Sequence, residues 1–273
     1  MYDRMRRISK RGNLLKEKLT KTNQSIEKGL QIIEILSRQK GAMRLQDISE
    51  AAEIPASTVM RLLKALSKYD YVAQHEETAK YSLTLKFAQI GSLVKSQFSI
   101  NEIVRPFLVD LSKKCHESIC LAIEQDMEVV YIDTVDGPDS MLTTMQRIGK
   151  RAPLHSTGVG KLMLLNFDAV KLDAYIARTG LRALTKNTIT GKDQLLLALE
   201  VIRKRNFAID DEECELGARC VAAPIRDYSG NVIASISISG PAIRMTDAKI
   251  DSVKNDIQDT AMKISRVYGY TPA

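Results

Sequence analysis

Hydrophobic residues recur every three or four positions through the first quarter of the chain, with polar residues between them. This spacing is typical of amphipathic helices. It predicts helices over residues 25–39, 45–52 and 56–69, and Pro55 suits the first turn of the third helix. We therefore expect this part of the chain to fold as three short helices in succession.

The predicted third helix separates its side chains into two faces. At about 100° per residue, the apolar side chains fall on one face, which we expect to pack inward. They are Val59, Leu62, Leu63 and Leu66. The opposite face has a hydroxyl group and three cations, and no acidic residue occurs in residues 56–69. An ordinary surface helix usually mixes both signs of charge, so this pattern favours an anionic partner.

Two short β-type runs follow the third helix. Residues 71–74 and 80–83 favour strands, and the turn-prone residues 75–79 join them into a hairpin. Three helices and a hairpin are the plan of a winged helix-turn-helix, whose third helix enters the major groove of DNA. Some winged helices bind proteins instead, and the cationic face favours DNA. The predicted DNA-binding residues are Ser57, Thr58, Arg61, Lys64, Lys68, Lys80 and Tyr81.

The pattern of residues 84–98 predicts a helix that connects the two halves of the chain. Its apolar stripe serves either dimerisation or packing against its own domain. Beyond it, β-type runs and helical patterns are typical of an antiparallel sheet flanked by helices in an α+β domain. Strands are predicted over residues 118–124, 129–135, 141–148, 220–225 and 232–238. Helices are predicted over residues 102–115, 158–166, 168–178, 192–205 and 247–267.

Composition narrows the class of protein. The chain has 273 residues, of which 44% are hydrophobic, and this fits a globular protein of about two domains. No apolar run reaches the roughly 18 residues of a membrane helix. The four cysteines give no disulfide framework. We therefore expect a cytoplasmic protein with reduced thiols and no membrane contact.

The net charge of +7 is concentrated at the N-terminus. Residues 1–21 contain eight basic and two acidic residues, whereas the rest of the chain is almost balanced. Such a tail suits a polyanion such as DNA, and a solvated leader without a partner is the alternative. We treat residues 1–22 as a basic N-terminal tail.

Catalytic and metal-binding motifs are largely missing from the sequence. Residues 155–161 lack the spacing of a phosphate-binding loop, although their glycines precede a helix and could present backbone amides to an anion. No Gly-x-Ser-x-Gly elbow occurs. Cys115, His116 and Cys120 could bind a metal together with a later cysteine, but such cysteines are more often simply buried. We therefore predict no metal site and no cofactor.

Two further polar segments remain open to interpretation. The acidic residues of 210–215 are typical of a solvated loop, with a hydrogen-bonding role toward a polar ligand if one of them faces a pocket. Three alternating serines share one face of a predicted strand, and that face either lines a ligand pocket or lies at a solvent-exposed edge. They are Ser235, Ser237 and Ser239.

Five stretches, in this order and spacing, resemble the IclR family of bacterial transcription regulators. They are STVMRLL at residues 57–63, PLHSTGVGK at 153–161, DDEE at 210–213, GARCVAAP at 217–224 and SISISGP at 235–241. Residues 71–74 with 80–86 are similar to the branch that controls sugar-acid catabolism. The resemblance implies a winged helix-turn-helix over 23–84, a dimerising linker helix over 85–100 and a GAF-like effector-binding domain over 101–273.

The resemblance also implies which residues bind an effector, usually a small organic acid such as a sugar acid or an aromatic acid. Backbone amides of Gly158, Val159 and Gly160 would face its carboxylate. The polar side of the site would be lined by Asp210, Cys220, Ser237 and Ser239. Met141 and Ala218 would border the apolar side, and Ala218 stands where leucine is common in the family, which could enlarge the pocket.

The sequence therefore predicts a DNA-binding transcription regulator, more specifically a repressor, and not an enzyme. Its expected partners are a pseudopalindromic double-stranded operator, a small organic acid and further copies of the chain, as a homodimer or a dimer of dimers. The alternatives are an enzyme acting on a small carboxylate with a DNA-targeting module, and an adaptor whose winged module binds a protein.

Overall fold

The computed structural model describes residues 23–39, 41–96, 99–137 and 148–272. Contacts within the chain divide it into two compact units, with the division between Gln97 and Phe98. The basic tail 1–22 lies outside the described residues, as does most of the predicted strand 141–148.

In the part of the chain that the structure describes, the first unit contains three helices, a hairpin and a fourth helix. These elements are α1 (Gln24–Arg38), α2 (Leu45–Ala52), α3 (Ala56–Lys68), β1 (Val72–Gln74), β2 (Tyr81–Leu83) and α4 (Lys86–Ser96). The strands pair antiparallel, with Val72 opposite Leu83. Each of the first three helices is amphipathic and contributes fully buried residues to a single core, among them Ile32, Ile48 and Leu63. The predicted winged helix-turn-helix is confirmed.

Helix α4 begins two residues later than predicted, and much of the apolar stripe is exposed. Leu85 and Val94 are both exposed, so these side chains do not pack against the domain that contains them. Phe87 is half-buried and its ring meets that of Tyr71 at 5.2 Å between centroids. One end of the helix is therefore attached to the hairpin, while its exposed stripe is available for another surface.

In its described residues, the second unit is built on a six-stranded antiparallel sheet. Its strands are β3 (Ser118–Gln125), β4 (Glu128–Val135), β5 (Arg151–Pro153), β6 (Ala208–Asp211), β7 (Ala218–Arg226) and β8 (Val232–Pro241). They lie in the order β5-β4-β3-β8-β7-β6. Its helices are α5 (Ile100–Cys115), α6 (Gly158–Met163), α7 (Ala169–Thr179), α8 (Lys192–Arg205) and α9 (Asp247–Val267). The α+β class with an antiparallel sheet flanked by helices is confirmed.

The two faces of this sheet bury different kinds of residue. One face packs aliphatic side chains such as Ile119 and Ile236 against α5 and α9. The other face, which includes Cys120 and Tyr131, packs against α6, α7 and α8. Because side chains alternate along a strand, the serines of β8 lie on this second face, which we call the polar face. Candidate ligand-binding residues are therefore concentrated on one side of the sheet.

Sequence patterns missed two strands. Arg151–Pro153 is a three-residue edge strand, too short to show alternation. Ala208–Asp211 is the opposite edge, and it contains the start of the acidic cluster that we expected to be a loop. In the described part of the chain, no helix has the length and apolarity that crossing a membrane requires.

Candidate DNA-binding surface and effector site

A tight turn sets the position of α3 relative to α2. Glu53 ends α2 in the left-handed conformation (φ 54°), and Ile54 is buried directly after it. The Ser49 hydroxyl donates to the Ile54 carbonyl at 2.6 Å, and Gln31 Nε2 donates to the Ala52 carbonyl at 2.9 Å. These bonds satisfy backbone acceptors at the turn, so α3 is held rigidly on the other two helices.

The outer face of α3 is free to meet a partner. Val59 and Leu63 are fully buried, and this places Ser57, Arg61, Lys64 and Lys68 on the exposed side. In the ion pairs of the described residues, neither Arg61 nor Lys64 has an acidic partner. Lys68 lies over the Tyr69 ring, 5.9 Å from its centroid. The face is therefore cationic, and no acidic side chain of the described residues forms an ion pair with Arg61 or Lys64 on it.

The N-terminus of α3 favours an anion as well. Among the described residues no side chain caps it, and its first turn has no acidic residue. Uncapped amides and the helix dipole both attract negative charge such as a phosphate group. Thr58, in this first turn, is half-buried, so Ser57 is the more accessible hydroxyl there.

Of the two hairpin residues predicted to contact DNA, the structure places Lys80 at the surface and Tyr81 in the core. Lys80 is partly exposed beside the turn, where it accepts a backbone bond from His75 at 2.8 Å. Tyr81 is only 5% exposed and belongs to the core of the unit. Its hydroxyl lies 3.8 Å from Met60 Sδ. The prediction for Tyr81 is therefore wrong, because its side chain points into the core.

Strand register places the predicted effector residues side by side on the polar face. Asp210 of β6 is opposite Cys220 of β7, which is opposite Ser239 of β8. Ser237 is opposite Cys120 of β3 and lies 3.2 Å from Ser239 between hydroxyl oxygens. All of these side chains are buried. Because β8 is a central strand, a solvent-exposed edge is excluded for its serines.

Helix α6 covers this row of residues. A Cβ atom on Gly158 would lie 3.0 Å from Cys220 Sγ and 3.3 Å from Ala222 Cβ. Glycine at this position therefore lets the start of the helix approach the sheet closely. Val159 is buried beside it, so the first residues of α6 pack against the polar face.

Gly160 does not offer the free amide that was predicted. Its N–H donates to Thr157 Oγ1 at 3.1 Å, because Thr157 caps α6. The prediction that Gly160 presents its amide to a ligand is wrong for this reason. Glycine is needed here for a packing reason instead, since a Cβ atom would lie 2.5 Å from Leu154 Cα.

Asp210 is buried, at 8% exposure, and is not part of a solvated loop. Its Oδ1 accepts hydrogen bonds from the backbone N–H groups of Glu213 at 2.8 Å and Cys214 at 3.3 Å. Burial nevertheless raises the pKa of Asp210 to about 7, outweighing those bonds and the nearby Lys161. Near neutral pH this carboxyl can therefore donate or accept a hydrogen bond.

This pKa predicts a pH-dependent stability. Between pH about 4 and about 7 the folded protein keeps a proton on Asp210 that the unfolded chain loses, so the free energy of unfolding falls as pH rises. Asp210→Asn keeps an acceptor oxygen for Glu213 and Cys214 and removes the titration. Between pH 4 and pH 7.5, the free energy of unfolding of the wild type should therefore fall, relative to that of the variant, by on the order of 3 kcal/mol. Urea unfolding at several pH values measures this, and parallel curves for the two proteins would contradict it.

A buried ion pair between Lys161 of α6 and Glu213, which follows β6, was not predicted from the sequence. Lys161 Nζ bonds Glu213 Oε1, and both side chains are buried. The other carboxylate oxygen, Oε2, has no hydrogen-bond partner among the described residues. The sequence pattern places Lys161 in the rejected phosphate loop and Glu213 in the acidic cluster, and it does not connect the two residues. No spacing in the sequence could have paired them, because 52 positions separate the two residues.

The structure says less about the remaining candidate residues for effector binding and metal binding. Ala218 begins β7 and is half-buried, on the same strand face as Cys220. Met141 lies outside the described residues. Cys115 packs on the aliphatic face, opposite to Cys120. Across the described ranges, no group of three or more histidine, cysteine or acidic side chains is placed to hold a metal ion.

Comparison with known proteins adds two matches that together span most of the chain. The model of the IclR helix-turn-helix domain matches residues 25–76, and that of the bacterial transcriptional regulator IclR C-terminal domain matches residues 93–266. The chain belongs to the IclR family. The family consists of transcriptional regulators, so the expectation of a regulator is confirmed and the enzyme alternative is not supported.

Several IclR relatives match over nearly their whole length. The transcriptional regulator XynR of Escherichia coli K12 is 31% identical over 247 residues, covering 90% of this chain and 98% of XynR. The transcriptional repressor AllR of Salmonella typhimurium LT2 is 34% identical over 249 residues, covering 91% of each protein. The crystal structure of Thermotoga maritima IclR has 32% identity and a TM-score of 0.60, covering 90% of this chain and 99% of that one.

Proposed function

We propose that this IclR-family protein is a transcriptional repressor that binds a DNA operator through α3 and is controlled by a small organic acid. The observation that supports DNA binding most strongly is the exposed cationic face of α3, with Arg61 and Lys64 free of acidic partners among the described residues. Repression follows the relatives named AllR, which are repressors. We place its action in the cytoplasm, together with its DNA.

The α3 side chains divide into base readers and phosphate contacts. The N-terminal part of such a helix lies nearest the base edges, so Ser57 and Arg61 would meet bases and Arg61 could bind guanine O6 and N7 in a bidentate manner. Lys64 and Lys68 lie further along the helix and would bind phosphates, and Lys80 of the hairpin would bind the backbone beside the groove. Thr58, half-buried, would support the first turn.

We propose that two copies bind together. Two α3 helices related by two-fold symmetry would read half-sites of a pseudopalindrome about one helical turn apart. The exposed apolar side chains of Leu85, just before α4, and of Val94, on α4, are suited to cover the same side chains of a second copy. Dimers could pair again into a dimer of dimers.

The polar face would hold the carboxylate of the acid. The amides of Gly158 and Val159 would face it, and Asp210, with its pKa near neutrality, could donate a hydrogen bond to it. Cys220, Ser237 and Ser239 would line the polar side, and Ala218 and Met141 the apolar side. The acid would change operator affinity only through different affinities for two arrangements of the DNA-binding units.

The DNA-binding part of the proposal is tested by Arg61→Ala. We expect a loss of about 1–3 kcal/mol in operator binding and a weaker preference for operator over scrambled DNA, because a base contact is lost. Lys68→Ala is the matched control, and it should weaken binding to both sequences alike and reduce the salt slope by about one. Electrophoretic mobility shifts at two salt concentrations measure both effects. Equal losses of Arg61→Ala on the two DNAs would rule out base reading, and salt-independent binding to a protein would favour the adaptor alternative.

A further inference from the structure

Helix α8 exposes two neighbouring apolar side chains. Its buried residues, which define the face that packs on the sheet, are Leu195, Leu199 and Ile202. At about 100° per residue, Leu197 falls opposite this buried face and Val201 falls beside Leu197. These two residues are one helical turn apart, and they are 64% and 52% exposed. Single exposed apolar residues are common, but two of them on one row of a helix form a small patch that is suited to a partner.

Opposite charges lie at the two ends of this apolar patch. Asp193 is in the first turn of α8, four residues before Leu197, and Lys204 is in the last turn, three residues after Val201. By the same step of about 100°, both charged residues fall on the outer face of the helix. Both are exposed, and neither belongs to an ion pair of the described residues. We call these four residues the α8 strip.

The order of residues makes the α8 strip complementary to a second, antiparallel copy of itself. A two-fold axis relates such copies, so a residue that faces another is faced by it in return. An axis midway between Asp193 and Lys204 passes close to Leu197 and Val201. The apolar side chains then meet at the centre, and each aspartate faces a lysine at the ends. The helix dipole also favours these two charges in a lone helix, but it gives no reason for exposed apolar residues between them.

We propose that the α8 strip is a contact surface between two copies of this chain, whose α8 helices pack antiparallel. The inference rests on the proposed pairing of copies along α4, and it names the surface through which two such dimers join. The 14 residues of α8 span roughly 21 Å, so one contact is smaller than the roughly 800 Å² per partner of a stable interface. Two contacts form together when one dimer meets another, and the first raises the effective concentration for the second. We therefore expect association to be weak between single copies and stronger between dimers.

Exchange of the two charges tests the proposal directly. Asp193→Lys places lysines opposite each other in the contact, and Lys204→Asp places aspartates opposite each other. We expect each variant to weaken the association of dimers into tetramers about 10- to 100-fold, because every contact loses two ion pairs and gains repulsion between like charges. The double variant Asp193→Lys/Lys204→Asp restores opposite charges and should associate nearly as well as the wild type. Sedimentation velocity of the full-length chain at several protein concentrations measures these associations.

The apolar centre of the contact is tested by Leu197→Asn. Val170→Asn is the matched control, since Val170 lies on α7, outside the α8 strip, and is 79% exposed. Only Leu197→Asn should reduce the tetramer, and both variants should unfold near the wild-type temperature because neither side chain belongs to the core. Val94→Asn separates the inference from the proposed dimer along α4, which it should weaken while the α8 strip stays intact.

The possible outcomes distinguish the two surfaces. A wild type that forms no species larger than a dimer, and whose dimer Val94→Asn dissociates, would overturn the α8 contact and leave the pairing along α4 standing. A tetramer that neither charge variant weakens, or a double variant that associates no better than the single ones, would overturn the α8 contact as well. A dimer that Val94→Asn leaves intact and Leu197→Asn dissociates would support the α8 contact and contradict the pairing along α4.

Discussion

Lys161→Met is expected to lower the free energy of unfolding by about 3–5 kcal/mol. Lys161 is 3% exposed, and its ammonium group bonds the buried carboxylate of Glu213. Methionine has nearly the same length and leaves this carboxylate in a low-dielectric interior without a counterion. Removing one partner of a buried pair costs far more than the pair itself contributes, because the remaining charge is desolvated and uncompensated.

Two further variants make this result specific. Lys192→Met removes a cation whose partner, Asp173, is largely exposed, so we expect a loss of no more than about 1 kcal/mol. The double variant Lys161→Met/Glu213→Gln should recover much of the stability, because the unpaired charge is gone. Urea unfolding followed by circular dichroism measures all three, since the chain has no tryptophan to report by fluorescence. A loss for Lys161→Met as small as that for Lys192→Met would contradict a buried ion pair.

Gly160→Ala is expected to destabilise the protein by about 3 kcal/mol, the upper end of the usual cost of overpacking. The added Cβ would lie 2.5 Å from Leu154 Cα and equally close to Thr157 Oγ1, which caps the helix. Backbone atoms cannot move aside as a flexible side-chain end can, so α6 must shift or the loop before it must distort. The polar face beneath α6 would change with it, and effector binding should weaken as well.

Gly29→Ala is the control for this substitution. Gly29 lies inside α1, and no atom lies within 4 Å of the position its Cβ would take. Alanine there should stabilise the helix by about 0.5–1 kcal/mol, because it reduces the freedom of the unfolded chain. The two substitutions are chemically identical and are expected to have opposite signs. Similar thermal shifts in both variants would show that the approach of α6 to Leu154 is not tight.

These expectations assign different roles to the two glycines in the first turn of α6. Gly158 allows close approach to Cys220 and leaves an amide at the polar face, whereas Gly160 and Thr157 serve the helix cap and its packing. The resemblance to the IclR family implied three equivalent amides. Capping hydrogen bonds depend on the path of the backbone, so the difference could be recognised only after folding.

Local periodicity explains why the DNA-binding unit was predicted well. The two faces of α3 follow from 3.6 residues per turn, so Val59 and Arg61 were placed correctly without knowledge of any partner element. Tyr81 was misplaced because a three-residue strand has too little alternation to show which side faces the core.

The sequence by itself determined the order of elements, the apolar and cationic faces of α3 and the membership in the IclR family, because these depend on short-range pattern and on recognisable motifs. Only the tertiary structure decided that Asp210 is buried, that Lys161 pairs with Glu213 and that Cys220 lies opposite Ser239. These residues come from separate strands, a helix and a loop. Their burial, charge state and partners arise from strand register and packing, which no local pattern encodes.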